Sequence, residues 1–309
     1  MASQRRTMSD RTFDTINLVL LIILTLIIIY PLYFTVIASI SDPYEVAKGN
    51  VVFWPKGFTL EPYTNVFVND DIWIGYKNSI INTVLTVIYN LIITVPAAYV
   101  MSRKGLKGKN VLMAYFVFTM YFSGGLIPGY LLVKDLGLMN TRWALIIPAG
   151  FSVYNMIIGR TFFISNMPDE LYEAAKIDGC SEFGIFFKIA LPLSGAIIAV
   201  VALYVAVGTW NAWFNVLLYI TDKKLYTLQY VLRSILIQNQ EMSIINTTSM
   251  NNTDAVASLM RRKYMAEGMK YSLIFIASLP MLIAYPFVQK YFVKGVMIGA
   301  LKGGFASSP

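Results

Sequence analysis

The sequence predicts an all-α membrane protein with six transmembrane helices. Of its 309 residues, 57% are hydrophobic and only 14% are charged, an apolar excess that a soluble core of this length does not need. Apolar runs of about twenty residues, the length that crosses a bilayer as a helix, alternate with polar loops. We therefore expect one transmembrane domain over 1–309, with a charged helix-turn-helix insertion at 165–192.

The first predicted span covers 18–40 and follows an N-terminal arm, 1–16, that contains three arginines. The apolar run is too long for a secretory signal and has no small-residue cleavage site, so we expect it to be retained. Pro31 is expected to kink this helix, because proline removes an internal hydrogen bond. The polar and aromatic segment 41–76 then forms a loop whose tryptophans suit the membrane–water boundary.

The second and third spans are predicted at 78–101 and 111–133, joined by a short basic loop. The second span carries more amide side chains than contact with lipid favours. The third is interrupted by glycine and proline at 123–125 and again at 128–129. Such breaks are tolerated inside a membrane only where protein or a water-filled cavity covers the freed backbone groups.

The remaining spans are predicted at 143–163, 193–219 and 271–291. A long loop, 220–270, separates the last two. With an even number of spans, both termini lie on the same side of the membrane as the insertion at 165–192. Lysine and arginine are divided almost evenly between the two sides over the whole chain, but the N-terminal arm and the loop at 102–110 are dense in them. The positive-inside rule therefore favours the side of the insertion as the cytoplasmic one only through the first loops and termini.

The insertion at 165–192, called the knob below, has signals for two short helices around a glycine turn. Pro168 suits a first helical turn, and the acidic residues after it complement the positive end of the helix dipole. Gly179 can adopt the left-handed conformation that ends a helix. Ser181 is an N-cap for a second helix, which is expected to run to Leu191 and stop at the following proline.

The residue types that the chain lacks exclude several chemistries. There is no histidine, and Cys180 is the single cysteine of the sequence. The absence of histidine excludes imidazole acid–base catalysis. Together with the single cysteine, it also excludes Cys/His metal sites and an intrachain disulfide. The phosphate-binding pattern G-x-x-x-x-G-K-[ST] is missing as well, so the chain is not expected to hydrolyse ATP. The net charge of +8 is typical of loops that flank anionic lipid and does not indicate nucleic-acid binding.

The knob also carries one long pattern, which consists of Glu-Ala-Ala at 173–175, Asp-Gly at 178–179 and a tail of Phe187, Ile189, Leu191 and Pro192. This pattern resembles the EAA loop of ATP-binding-cassette (ABC) importer permeases, with Cys180 where that family usually has alanine. The resemblance implies that the knob faces the cytoplasm and transmits ATP-driven movement. It implies ATPase-coupling roles for Glu173, Ala174, Ala175, Asp178 and Gly179.

The resemblance extends over the whole chain. The tail at 295–303 is similar to that of the carbohydrate-uptake branch, and the Trp-Asn-Ala-Trp-Phe-Asn segment at 210–215 to that of its oligosaccharide subgroup. This implies a transport subunit, not an enzyme, that spans the bacterial plasma membrane several times, with both termini cytoplasmic and 220–270 outside.

The same resemblance implies partners. A second, related permease is expected to complete the path as a heterodimer, with a homodimer as the alternative. Two ATPase subunits would hold ATP and Mg²⁺, and an extracytoplasmic solute-binding protein would deliver the sugar. The chain itself, embedded in membrane lipid, is expected to bind no cofactor, no metal and no nucleic acid.

Polar and aromatic residues at membrane depth are the candidate lining of the path, because sugars are bound by amide hydrogen bonds and by stacking on rings. Interhelical hydrogen bonding and a place in the aromatic belt are the competing explanations. On a continuous fifth helix, residues 211 and 215 would share one face, and 210 and 213 a neighbouring one. The candidates are Asn82, Tyr89, Asn90, Tyr154, Asn155, Trp210, Asn211, Trp213 and Asn215.

Other classes of function compete with this interpretation. A carrier driven by an ion gradient tends to place ionisable groups at mid-membrane and to show internal repeats, and the predicted spans show almost no such groups and no evident repeat. A membrane-embedded enzyme would lack both histidine and a clustered carboxylate pair within the spans. An ABC permease for a solute other than a sugar is a further alternative.

Overall fold

The computed structural model of the chain describes residues 8–244, 264–265, 268–284, 286 and 289. Every regular element in this part is a helix, as predicted. The tail motif at 295–303 and the start of the N-terminal arm lie outside the described residues.

Fifteen α-helices are labelled in chain order. They are α1 (Met8–Ser39), α2 (Pro43–Ala47), α3 (Glu61–Val68), α4 (Asp70–Ser102), α5 (Lys109–Tyr121), α6 (Leu126–Asp135), α7 (Trp143–Ile146), α8 (Val153–Asn166), α9 (Asp169–Ile177), α10 (Glu182–Ile185), α11 (Leu191–Leu193), α12 (Gly195–Trp210), α13 (Phe214–Tyr219), α14 (Leu228–Ile244) and α15 (Gly268–Ala284). A π-helical segment, Phe186–Ala190, joins α10 to α11, and a 3-10 turn, Lys223–Leu225, precedes α14.

Two helices, α1 and α4, are each long and apolar enough to cross a membrane. Two bent pairs reach that length if each counts as one span: α5 with α6, and the segment from α10 to α11 with α12. The described part of the chain therefore contains two to four candidate spans. The apolar side chains of α1 are exposed along most of its length, and the helix runs through Pro31 without interruption. A helix that is apolar all round and exposed is typical of a membrane span.

The third predicted span is broken, but at one place and not two. The break separates α5 from α6, which meet at 108°, and Gly125 at the start of α6 has a φ of +90°. Pro128 lies in the first turn of α6, where a missing N–H breaks no hydrogen bond of the helix, and the N–H of Gly129 donates to the carbonyl of Gly125 at 3.4 Å. The second predicted break is therefore wrong, because proline is tolerated at that position.

Two other predicted spans are not single helices. The span at 143–163 is divided into α7 and α8 by residues 147–152, where Pro148 has no backbone N–H with which to continue the helix. The span at 193–219 is divided into α12 and α13 by residues 211–213. The predicted loop 220–270 contains α14, a helix of 17 residues.

The described residues divide into two compact units, one from the ranges 1–69 and 234–278 and the other from 70–233 and 279–309. In the first unit, Ile37 and Ala38 of α1 pack with Val46 and Val51. In the second unit, α8 and α12 pack along α4. The second unit contains both candidate sites described below.

Candidate functional site

The first half of the knob folds as the sequence predicts. α9 begins after Pro168, and Gly179 follows its end with a φ of +74°. The N–H of Gly179 donates to the carbonyl of Lys176, and the next N–H donates to Ala175, so the end of the helix is satisfied. A glycine is required at 179 because other residues reach this conformation only with strain.

The second half of the knob begins as predicted and ends differently. The Ser181 hydroxyl accepts a hydrogen bond from the N–H of Gly184 at 3.2 Å, which makes it the N-cap of α10. The helical path then widens into the π-helical segment and continues to Leu193, past the expected stop at Leu191. The chain bends by 76° before α12.

Aromatic and charged contacts fix the knob to the C-terminal end of α4. The ring of Tyr99 packs against those of Tyr172 and Phe186, with centroids 6.2 and 5.0 Å away. The Arg103 guanidinium lies 3.4 Å from the centroid of the Tyr172 ring. Because these side chains belong to one buried cluster with α8, the knob and α4 form a single packed body.

The predicted coupling residues divide into two groups. Glu173, Ala174, Asp178 and Gly179 are exposed. Ala175 is buried in the cluster with Tyr99, so it packs the knob and is not on its surface. A local ion pair between Glu173 and Lys176 was possible from their spacing, but Lys176 pairs with Glu182 at 2.6 Å, which leaves the Glu173 carboxylate on the surface.

Large apolar side chains next to these residues are also exposed. Ile177 is 86% exposed, and Phe183 and Phe187 are 79% and 60% exposed. A cavity of about 700 Å³ opens between these rings and the end of α4. The sequence did not indicate that these apolar side chains point outward. Exposed apolar side chains of this size mark a surface that another protein or lipid covers.

A smaller cavity brings together two of the predicted path residues, Asn82 on α4 and Asn215 on α13. It has a volume of about 150 Å³ and is called the polar cavity below. Its lining consists of Ser79, Asn82, Leu145, Ala149, Gly208, Thr209, Ala212, Asn215, Val216 and Thr227. None of these residues carries a charge.

Arg142 lies behind Asn82 and links it to Asn78. The guanidinium donates to Oδ1 of Asn82 at 2.8 Å and to Oδ1 of Asn78 at 3.0 Å. Nδ2 of Asn78 donates in turn to the carbonyls of Lys224 and Tyr226, at 2.8 and 2.9 Å. Both asparagines are at most 3% exposed. This network joins α4 to the segments before α7 and α14.

The sequence contained a signal for this network. Asn78, Asn82, Thr86, Asn90 and Thr94 recur at every fourth position of α4, and all five are buried. Side chains four residues apart lie on one helical face, so the pattern indicates a polar stripe that faces protein. Arg142 was interpreted only as a charge in a loop, because nothing in the sequence pairs it with this stripe.

Other path candidates pack one helix against another. Nδ2 of Asn90 donates to the carbonyl of Ala149 at 3.2 Å, and the Tyr89 ring lies against Gly150, where an added Cβ would be 2.0 Å from the ring. These contacts support the interhelical explanation for both residues. Asn155 is buried in α8, and Tyr154 is 58% exposed.

The faces predicted at 210–215 do not form, because α12 ends at Trp210. Asn211 is exposed and donates from Nδ2 to the carbonyl of Val207, within its own helix. Trp210 is 3% exposed and packs edge-on against a tyrosine of α4. The Trp213 ring is covered by the Arg233 guanidinium at 3.5 Å. The prediction of a shared stacking surface is therefore wrong.

Long apolar helices, one polar cavity among them and a charged helical knob at their end define a membrane transport component. The chain belongs to the family described as binding-protein-dependent transport system inner membrane component, which matches residues 72–298. This range contains both the knob and the polar cavity. The protein is thus an inner-membrane transport subunit and not an enzyme.

Several similar proteins are named as permease proteins of carbohydrate transport or uptake systems. The chain is 40% identical to Protein LplC of Bacillus subtilis (strain 168), over 97% of this chain and 98% of that protein. It is 37% identical to the polygalacturonan/rhamnogalacturonan transport system permease protein YtcP of the same strain, over 96% and 100%. Among solved structures, a chain of a bacterial ABC transporter involved in the import of the acidic polysaccharide alginate has a TM-score of 0.81 and 31% identity, over 94% of this chain and 100% of that chain.

Proposed function

We propose that the chain is the permease subunit of an ABC importer and forms half of the translocation path for an oligosaccharide. The observation that carries this proposal is the full-length similarity to a chain of the alginate importer. The knob pattern supports it, because such a loop has a purpose only where a separate ATPase supplies the energy. The full assembly has a second permease, two ATPase subunits with ATP and Mg²⁺, and a solute-binding protein.

The knob is the ATPase-coupling surface in this proposal. Glu173, Ala174, Asp178 and Gly179 are exposed beside the apolar side chains of Ile177 and Phe183. Charge next to an exposed apolar patch suits a specific protein partner. Because the knob is packed on α4, closure of the ATPases moves both together as a rigid body.

The same packing supports an orientation in the membrane. From Asn82 to Tyr99, α4 rises by about 25 Å at roughly 1.5 Å per residue, close to the hydrocarbon thickness of about 30 Å. The polar cavity and the knob therefore belong to opposite faces of the bilayer. With the knob in the cytoplasm, the cavity is at the outer mouth of the path. Six spans with cytoplasmic termini complete the proposed topology, with 220–270 outside.

Asn82 and Asn215 are the path residues that the cavity supports best. Tyr89, Asn90, Trp210 and Asn211 make contacts that account for them as packing or capping residues.

The proposal is tested with the complete importer in proteoliposomes. Uptake of an oligosaccharide should require ATP on the ATPase side and should be insensitive to an uncoupler. Uptake that continues without ATP and is abolished by the uncoupler would show an ion-driven carrier instead.

A further inference from the structure

We propose that the polar cavity is a subsite for a carboxylate of an acidic oligosaccharide, and that Arg142 is the positioning residue that makes it one. This inference rests on the proposed function and adds the chemical class of the substrate. Three observations support it: the orientation of the Asn82 amide, the hydrogen-bond donors around that amide, and the positive charge of Arg142, which has no carboxylate partner among the described residues.

Arg142 decides which way the Asn82 amide points. A guanidinium has only donors, so it must face the oxygen of the amide and not the nitrogen. With Oδ1 of Asn82 held at 2.8 Å, Nδ2 is directed away from Arg142. Its two N–H groups have no acceptor in the part of the chain that the structure describes, although the side chain is only 2% exposed. These N–H groups are available to a hydrogen-bond acceptor that enters the cavity.

Two neighbouring hydroxyls add to the donor side of the cavity. Oγ1 of Thr227 is buried without a partner among the described residues. The Ser79 hydroxyl accepts from the N–H of Leu228 at 2.9 Å, so one of its two lone pairs is engaged while its proton stays available. On the acceptor side, the carbonyl of Ala149 already accepts from Asn90. The donors around Asn82 therefore favour a ligand group that accepts hydrogen bonds.

The positive charge of Arg142, next to the cavity, also favours a ligand that accepts hydrogen bonds and carries a negative charge. Arg142 is half-buried, and no carboxylate lies within ion-pairing distance of it in the described residues. Removing part of a charged group from water has a cost, which a nearby opposite charge offsets. Its partners here are two neutral amides, so a positive charge faces the cavity through Asn82. A carboxylate supplies both the missing negative charge and a group that only accepts, whereas a sugar hydroxyl supplies neither.

The size of the cavity limits what it holds. About 150 Å³ has room for a carboxylate and the adjoining part of one sugar ring, but not for an oligosaccharide. The rest of the substrate would lie in the path outside the cavity. A carboxylate on each sugar unit is the chemistry of uronates, and two similar proteins carry acidic or galacturonate polymers in their names.

The test uses Asn82→Asp in the complete importer. This change keeps the shape and the contact with Arg142, but replaces the two N–H donors with a negatively charged oxygen. The probes are trigalacturonate and the same trisaccharide with each carboxyl group reduced to an alcohol. The same binding protein is used with the wild-type and the variant permease. A change in the ratio of acidic to neutral trisaccharide uptake between them therefore reports on the permease alone. We expect the ratio to fall about tenfold or more, because a carboxylate would meet another carboxylate.

Arg142→Gln and Arg142→Lys complete the design. Arg142→Gln should also lower the ratio of acidic to neutral uptake. Arg142→Lys keeps the positive charge but not the two parallel donors of the guanidinium, so its ratio should lie between those of Arg142→Gln and the wild type. A purely structural role predicts equal losses for both probes and therefore an unchanged ratio. An unchanged ratio in Asn82→Asp, or a wild type that takes up both probes equally, would overturn the inference while the proposed function stands. Uptake of neither probe by the wild type would contradict the inference, and failure of a wider set of oligosaccharides would contradict the proposed function.

Discussion

Asn78 is the residue whose loss should disturb the hydrogen-bond network around Arg142 most. It is 3% exposed and makes three hydrogen bonds, one from the Arg142 guanidinium and two to the carbonyls of Lys224 and Tyr226. Asn78→Ala removes all three and leaves the two carbonyls and part of the guanidinium without partners. We expect this variant to be strongly destabilised.

The magnitude follows from the partners. A hydrogen bond to a charged group is worth roughly 1.5–3 kcal/mol and a neutral one about 1 kcal/mol, with less than additive sums. Bonds between membrane helices often contribute about 0.6 kcal/mol each, so the expected loss is about 2–4 kcal/mol. Asn78→Asp separates the two sides of the network. It should keep the contact with Arg142 but face two carbonyls with an acceptor, and so should also be less stable than the wild type.

The assay is thermal unfolding of the purified permease in lipid nanodiscs, with the apparent Tm of each variant compared at one heating rate. Asn211→Ala is the matched control, since this asparagine is exposed and bonds only to its own helix. The control should stay close to the wild type. An Asn78→Ala variant with the Tm of Asn211→Ala would refute the network as a source of stability.

Two further predictions concern the cytoplasmic side. In a variant without Cys180, a cysteine at Ile177 should be labelled by an impermeant thiol reagent only after the cells are opened, whereas one at Lys223 should be labelled in intact cells; the reverse pattern would invert the topology. Lys104 pairs with Asp169 at 2.5 Å, and this contact raises the pKa of Lys104 above its usual 10.5. A raised pKa stabilises the fold below pH 10.5 and is lost only as the pH rises through the raised value. Lys104→Gln should therefore lower the Tm by the same small amount at pH 7 and pH 9, and a difference that disappears at pH 9 would contradict the ion pair.

Local signals in the sequence were sufficient for the knob. Proline, glycine and serine at 168, 179 and 181 act through backbone geometry and capping within a few residues, so the pattern predicts both helices and the turn. The break in the third span was predictable for the same reason. The π-helical segment was not, because no residue type specifies it.

The polar cavity required contacts between residues distant in the chain. Asn82 and Asn215 were identified as polar residues at membrane depth, but their meeting depends on how α4 and α13 pack. Arg142 lay outside every predicted span, and its contact with Asn78 depends on that same packing. The faces predicted at 210–215 do not form because α12 ends at Trp210, an end that no local signal in the sequence indicated.

Gly179→Val in the complete importer tests the coupling role of the knob most directly. The glycine has a φ of +74° and open space around it, so valine acts only through backbone strain. Gly105→Val is the matched control, since it also has open space but not the left-handed backbone, and Gly179→Asn should be tolerated because asparagine adopts that conformation. We predict normal membrane levels in all three variants, with loss of ATPase co-purification and of ATP-driven uptake in Gly179→Val alone. Full co-purification and normal uptake in Gly179→Val would contradict the account.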